Sequence, residues 1–244
     1  MGLGNKIKNV LVYVFGMINN SRKSKCIFYH DIHSDIRFTD MSTSSDLFEK
    51  HIHIIRENGF EIVSEITQEK GQISISFDDG FKGVYENIDI INRLKVPITI
   101  FVVFSFLDEE NFISKEQLIE LNNNPMITIQ SHTYTHSELP LLSSEEVENE
   151  LLKSKKLLEG ICGVEINSIC FPKGLFSTKV VDIASKVGYE TQYSSLPGNY
   201  YNEVFPTVKR RSLVQFLSQR DFRSILRGGD HFFYYWYKIK HFKS

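Results

Sequence analysis

The sequence predicts an α/β fold built on a parallel sheet with helices outside it, on three observations. From residue 26 onward, short apolar runs alternate with amphipathic stretches of helical length. The chemically notable side chains (His30, Asp78 and Asp79, His132 and His136, Lys173) each follow an apolar run directly. That is the strand end at which α/β barrels and doubly wound sheets carry their chemistry. Finally, 244 residues with 41 % apolar and 24 % charged side chains suffice for one core and exclude a disordered or fibrous chain.

The elements follow in order. Ile7, Val10, Leu11, Val14, Phe15 and Ile18 fall at helical spacing and form one apolar stripe with basic flanks. Such a helix lies in an anionic membrane surface or packs against the body. Residues 26–30 read as a strand, and Ser42 to Ser45 offer N-caps for a helix through Asn58, with Gly59 as its stop. Ile73 to Phe77 alternate as a strand running into Asp78-Asp79-Gly80. A helix spans 84–95, and Pro97 opens a strand over 98–104. Ser114 and Gln117 form a capping box for a helix to Asn122. A strand over 126–130 enters His132. Ser143/Ser144 with Glu145/Glu146 start a helix ending near Gly160. The strand 167–171 reaches Pro172-Lys173-Gly174, a helix over 177–186 stops at Gly188, and a strand covers 190–194.

The charge is more informative when divided along the chain. The total is −2, which does not indicate a nucleic-acid binder. Residues 1–30 carry +5 and residues 231–244 carry +3, leaving −10 for the body between them. The last segment joins Phe232 to Tyr237, six consecutive aromatics, to Lys238, Lys240 and Lys243. Tyr, Trp and Lys favour an anionic membrane interface, and the same run could equally close the core. Three cysteines, with no metal-type pairing, fit a reduced compartment. No run reaches the roughly 20 apolar residues of a spanning helix. The run Val10 to Ile18 lacks a small-residue cleavage site, so the chain is expected to be unexported and cytoplasmic, with possible peripheral contact at the inner membrane face through both termini.

Two constellations carry chemistry. Asp78-Asp79-Gly80 presents two carboxylates at one site only where the strand turns, which Gly80 permits. His132 and His136 share a face if 132–136 make one helical turn. Two imidazoles plus a carboxylate make a three-ligand site with open positions, suited to a catalytic metal. His51 and His53 read as a solvated helix face, and His33 as a loop residue.

Ile75 to Gly80 resembles the first motif of the polysaccharide deacetylases, Ser131 to His136 the second, and Cys170 to Gly174 a degenerate third. The resemblance covers roughly residues 26–226 and is nearest to the poly-N-acetylglucosamine deacetylase branch. It implies a distorted (β/α) barrel in a single domain, flanked by a basic amphipathic helix (1–25) and an aromatic basic tail (227–244). It implies hydrolysis of the acetamide of an N-acetylated amino sugar in surface-polysaccharide assembly, on a glycan that could be lipid-linked. By position, Asp79, His132 and His136 would hold a divalent metal, zinc by expectation. Asp78 would be the base, and the backbone N–H of Lys173 would face the oxyanion. Cys170 stands where the family has an Arg that orients the base. The resemblance offers Arg210 or Arg211 as the replacement, and spacing favours Arg210. The usual late Leu-x-His acid is absent, and Tyr29-His30-Asp31 resembles the early strand end whose His takes that role in the same branch. The competing readings are a catalytically silent carbohydrate-binding barrel and a non-haem iron oxygenase, the second disfavoured by the strand-helix alternation.

Overall fold

The computed structural model describes residues 3–19, 21–201 and 205–243. The side chains of residues 3–10 and of Phe232 lie outside the described set, so Lys6, Ile7, Lys8, Val10 and Phe232 are not placed. The chain begins with helix α1 (Leu3–Asn19), strands β1 (Lys25–Tyr29), β2 (Asp31–His33) and β3 (Ser42–Ser44), then helix α2 (Ser45–Glu57). Next come β4 (Glu61–Ile62), β5 (Gln72–Asp79), α3 (Gly83–Glu86), α4 (Ile88–Leu94), β6 (Ile98–Val102) and α5 (Lys115–Asn122). After β7 (Ile127–Ser131) and α6 (Ser144–Cys162) follow β8 (Ser168–Cys170), α7 (Thr178–Val187) and β9 (Thr191–Tyr193). The chain closes with β10 (Val208–Lys209), β11 (Arg211–Leu213), α8 (Gln219–Leu226) and α9 (Tyr234–His241).

The expected parallel sheet is present. Among the described residues it runs β10-β9-β8-β7-β6-β5-β1-β11, with β4 also paired to β5, and every pairing is parallel. Its two ends, β10 and β11, are consecutive in the chain and separated only by Arg210. Lys209 pairs with Tyr193 of β9, while Arg211 pairs with Cys26 of β1. One interrupted strand therefore joins both edges, and the sheet curls into a distorted barrel without a free edge there. The strands are buried along nearly their whole length, as expected of parallel strands covered on both faces.

Helix ends follow their sequence signals. Both halves of the Ser114/Gln117 and Ser143/Glu146 capping boxes are formed. The expected helix over 84–95 is broken at Asn87, whose amide donates to Gly83 O and competes with the helical ladder. α6 runs past Gly160 and stops at Gly163, which takes the left-handed conformation.

Both ends of the chain dock on the body. α1 packs on α8 through Val12 and Gly16, where a Cβ on Gly16 would lie 2.8 Å from Ser224 O. The predicted stripe is only partly used: Leu11 and Phe15 are half-buried, whereas Val14 and Ile18 face outward, as does Met17 beside them. Lys25, counted in the basic start, is fully buried and paired with Asp230 at 2.6 Å, so that charge is spent internally. The tail adds a parallel bridge at Phe176–Phe242, with Phe176 N donating to His241 O and Lys243 N to Phe176 O. Tyr235, Trp236 and Ile239 remain exposed. Among the described residues no helix is long and apolar enough to cross a membrane.

Candidate metal and catalytic site

Four of the sequence-predicted residues converge at the C-terminal ends of β5 and β7. Asp78 and Asp79 close β5 and both are buried. The turn that lets neighbouring residues serve one site falls at Asp79 (φ 73) and Gly80 (φ 84). His132 and His136 do not lie on a helical turn. Their loop bends through left-handed conformations at Thr133 (φ 72) and His136 (φ 63), bringing the two imidazole centroids to 4.9 Å. Non-glycine residues cost free energy in that region and persist where their surroundings hold them. Here the surroundings are specific. Glu150, buried on α6, accepts from the backbone N–H groups of Tyr134 and Thr135 and from the Thr135 hydroxyl. Ser154 donates to Thr133 O, and Thr133 Oγ1 accepts from His136 N.

Asp79 Oδ1 lies 3.3 Å from His132 Nε2 and 3.4 Å from His136 Nε2. Tetrahedral coordination with bonds of about 2.0–2.2 Å separates ligand atoms by about 3.3 Å, so this donor set fits one zinc-like ion. His132 Nδ1 donates to Cys170 O at 2.7 Å, which directs the Nε2 lone pair inward. Burial disfavours charge on His132, but Cys170, Asp79 and Asp78 outweigh it and lift its pKa well above the usual imidazole value. Burial, with the neighbouring His132, lowers His136 to about 4, keeping it the neutral donor a metal needs.

Asp78 is held differently. Arg211 grips it with both arms, Nη1 to Oδ1 at 2.7 Å and Nη2 to Oδ2 at 2.8 Å, while Nη1 also reaches Ser76 Oγ at 2.9 Å. Burial alone would raise this carboxyl; the guanidinium overrides it and brings the pKa to about 2. Cys170 Sγ lies 2.6 Å from Arg211 Nη2. Asp78, His132 and Cys170 also cluster closely enough to hold a metal, but Arg211 already supplies the cation there.

Arg210, the residue favoured by spacing, is not at this site. Its guanidinium lies outside the barrel, 3.7 Å above the Tyr234 ring, and its Nε and Nη1 lack hydrogen-bond partners. The correction is one of register. Side chains alternate along an extended strand, so a one-residue shift exchanges the interior for the exterior. Arg211 begins β11 and faces the barrel interior.

Lys173 sits in the left-handed conformation (φ 56) on the loop after β8, its ammonium paired with Glu138 at 2.6 Å. Its carbonyl accepts from His241 Nδ1 at 2.9 Å, so the tail helix braces this loop. Half-buried His30 lies close enough to Asp78 and Asp79 for both carboxylates to feel its charge. Its Nδ1 donates to Gln215 Oε1 at 2.7 Å, which leaves Nε2 as the nitrogen free for chemistry. Sequence reasoning missed Gln215, which carries no motif signal. His51 is a correction: it is fully buried, bonded to the Tyr29 hydroxyl and Leu217 O, and stacked on Phe222 at 4.0 Å. His53 is exposed as expected. His33 is bonded to Ser42 and Arg37.

The chain is similar to known proteins in sequence and in fold. A family model described as polysaccharide deacetylase matches residues 65–192. YxkH of Bacillus subtilis, by name a candidate polysaccharide deacetylase, is 26 % identical over 187 residues, covering 72 % of this chain and 66 % of its own length. The poly-beta-1,6-N-acetyl-D-glucosamine N-deacetylase of Staphylococcus aureus is 28 % identical over 139 residues, 51 % of this chain and 48 % of that protein. The chain thus spans about two thirds of the first relative and half of the second. The crystal structure of a polysaccharide deacetylase from Bacillus cereus superposes with a TM-score of 0.73 at 25 % identity, covering 84 % of this chain and 69 % of that one.

Proposed function

The chain belongs to the polysaccharide deacetylase family, and from that premise we propose that it is a metal-dependent hydrolase. Its reaction would remove acetyl from an N-acetylated amino sugar during surface-polysaccharide assembly. The observation that carries this reading is the 3.3–3.4 Å spacing of Asp79, His132 and His136 beside an Arg-held Asp78. The presence of both aspartates and both histidines in one place counts against a silent binding barrel.

In the proposed mechanism Asp79, His132 and His136 hold one divalent ion, zinc by its preference for nitrogen and oxygen donors in this geometry. When bound, the ion polarises the acetamide carbonyl and lowers the pKa of a water towards about 7. Asp78, fully ionised at neutral pH, accepts the proton of the attacking water, and Arg211 keeps its carboxylate aimed. The Lys173 backbone N–H faces the developing oxyanion. His30, oriented by Gln215, protonates the leaving amine. The outward residues of the two docked ends, Met17 and Ile18 with Trp236 and Ile239, give the protein a peripheral hold on an anionic membrane.

Acetate release, screened over free oligosaccharides, nucleotide sugars and lipid-linked glycans, tests the reading. Release from at least one N-acetylated class is expected. Glycan binding without acetate would establish the silent carbohydrate-binding barrel instead.

A further inference from the structure

A cleft of about 550 Å³ opens beside the candidate catalytic centre. His30 and Lys173 stand at one end. From there it runs over the segment after β11 to Val12 of α1, Ile225 of α8, and Tyr237 and Lys240 of α9. Leu213 and Phe216 form an exposed apolar rim, 47 % and 58 % accessible. Both docked ends of the chain are therefore walls of one cavity adjoining the reaction site.

Most of the lining is apolar, and several of its polar groups are engaged within the protein, His241 Nε2 being a buried exception. Asp230 is paired with Lys25 and accepts from Ser212. Asp221 accepts from the Ser218 hydroxyl, and Gln215 Oε1 is bonded to His30. Sugar hydroxyls placed along the apolar walls would lose water and find few partners beyond His241 Nε2, at a cost. A hydrocarbon chain would lose nothing and would gain about 25 cal/mol for each Å² buried. The volume is that of a site for one small ligand. Lys240, which lines the cleft, supplies a cation suited to an anionic linkage between sugar and chain.

We propose that this cleft binds the apolar chain of an amphiphilic substrate, with its N-acetylated sugar at the site of Asp78 and Asp79. The substrate is then a sugar still attached to a hydrocarbon carrier, presented where the exposed side chains of α1 and α9 meet a lipid surface. This inference rests on the deacetylase reading.

The test compares methyl and dodecyl glycosides of N-acetylglucosamine, below the micellar concentration, on the full zinc-supplied chain. At least a tenfold higher kcat/KM is expected for the dodecyl glycoside, mostly through KM. Phe216→Ser and Leu213→Ser, both at exposed positions that folding tolerates, should each bring the ratio towards one, while Val164→Ser, exposed on the loop after α6, should keep it. Equal kcat/KM for the two glycosides, or a ratio untouched by the rim variants, would overturn the cleft proposal and leave deacetylation standing. If neither glycoside releases acetate, it is the deacetylase reading that fails in this test, and calorimetry then decides the cleft. At least tenfold tighter binding of the dodecyl glycoside supports it, and equal binding refutes it.

Discussion

Replacing Arg211 by Met should disable Asp78, whereas the same change at Arg210 should not. With Arg211 present the Asp78 carboxyl titrates at about 2, against an ordinary 3.8, although burial pushes it upward. Losing the guanidinium therefore lifts the pKa past 3.8. At 1.36 kcal/mol per unit, the lost coupling is at least about 2.5 kcal/mol. Removing one partner of a buried pair commonly costs about 3–5 kcal/mol. Since the folded pKa is depressed, this stability is present above pH 4 in the parent and lost as pH falls towards 2. For the Met variant we expect a drop in thermal stability at pH 7, a loss in kcat of about 10²-fold from misaimed carboxylate, and a new acid limb in kcat/KM above pH 4. Arg211→Lys keeps a charge without the fork and should fall between the two. Arg210→Met forfeits a ring contact of up to about 2 kcal/mol and the attraction of Asp230, neither of them a contact with Asp78, and should leave kcat/KM within about threefold. Acetate release across pH 3–9 with parallel melting curves makes the comparison. An inactive Arg210 variant beside an active Arg211 variant would refute the register argument.

Other outcomes follow from the same geometry. Asp31 is buried, and burial outweighs the Ser42 hydroxyl and the backbone N–H groups of Ile32, Gly83 and Val84 beside its carboxylate, raising its pKa to about 7. The folded state then binds the extra proton between about pH 4 and 7, and stability falls as pH rises through that window. Asp31→Asn should therefore stabilise, by up to on the order of 4 kcal/mol above pH 7 and progressively less below, measured by denaturant melts; a gain independent of pH would contradict this. His30→Ala should cut turnover by about 10²–10⁴-fold with metal content intact, and retained turnover would remove His30 from the acid role. Gln215→Leu should lower kcat less than His30→Ala, and equal or greater damage would count against an orienting role. Glu150→Ala leaves every proposed ligand in place but frees the backbone of 134 and 135, so zinc affinity should fall about 10- to 100-fold in a competition titration. Unchanged affinity would show that the loop holds itself.

Much of the fold was legible because parallel βα units write their period directly into sequence. The Ser114/Gln117 capping box and the Ser143/Ser144 pair before Glu145/Glu146 marked two helix starts, and the apolar runs marked β5 through β9. The two-residue and three-residue strands β10 and β11 were not separable from loop by any periodicity, yet their register decides which arginine faces inward. That single alternation explains the Arg210 error. His51 was misjudged for a related reason: charged neighbours on one helix suggested solvent, whereas Tyr29 and Phe222 arrive from distant segments. Asp78, Asp79, His132 and His136 were legible as residue types after strands. Their left-handed backbone, and the Glu150 that supports it, depend on tertiary contacts that no local pattern records. The basic ends were visible as composition, but the burial of Lys25 against Asp230 and the docking of the tail on the Lys173 loop were not.

The central claim is that Asp79, His132 and His136 form a metal site that drives deacetylation. Its most direct test is acetate release by chelator-stripped protein titrated with zinc. Activity should rise from baseline to a plateau at one equivalent per chain, and the His136→Ala variant should stay near baseline throughout. Full acetate release by the stripped protein, with no response to added zinc, would contradict the account.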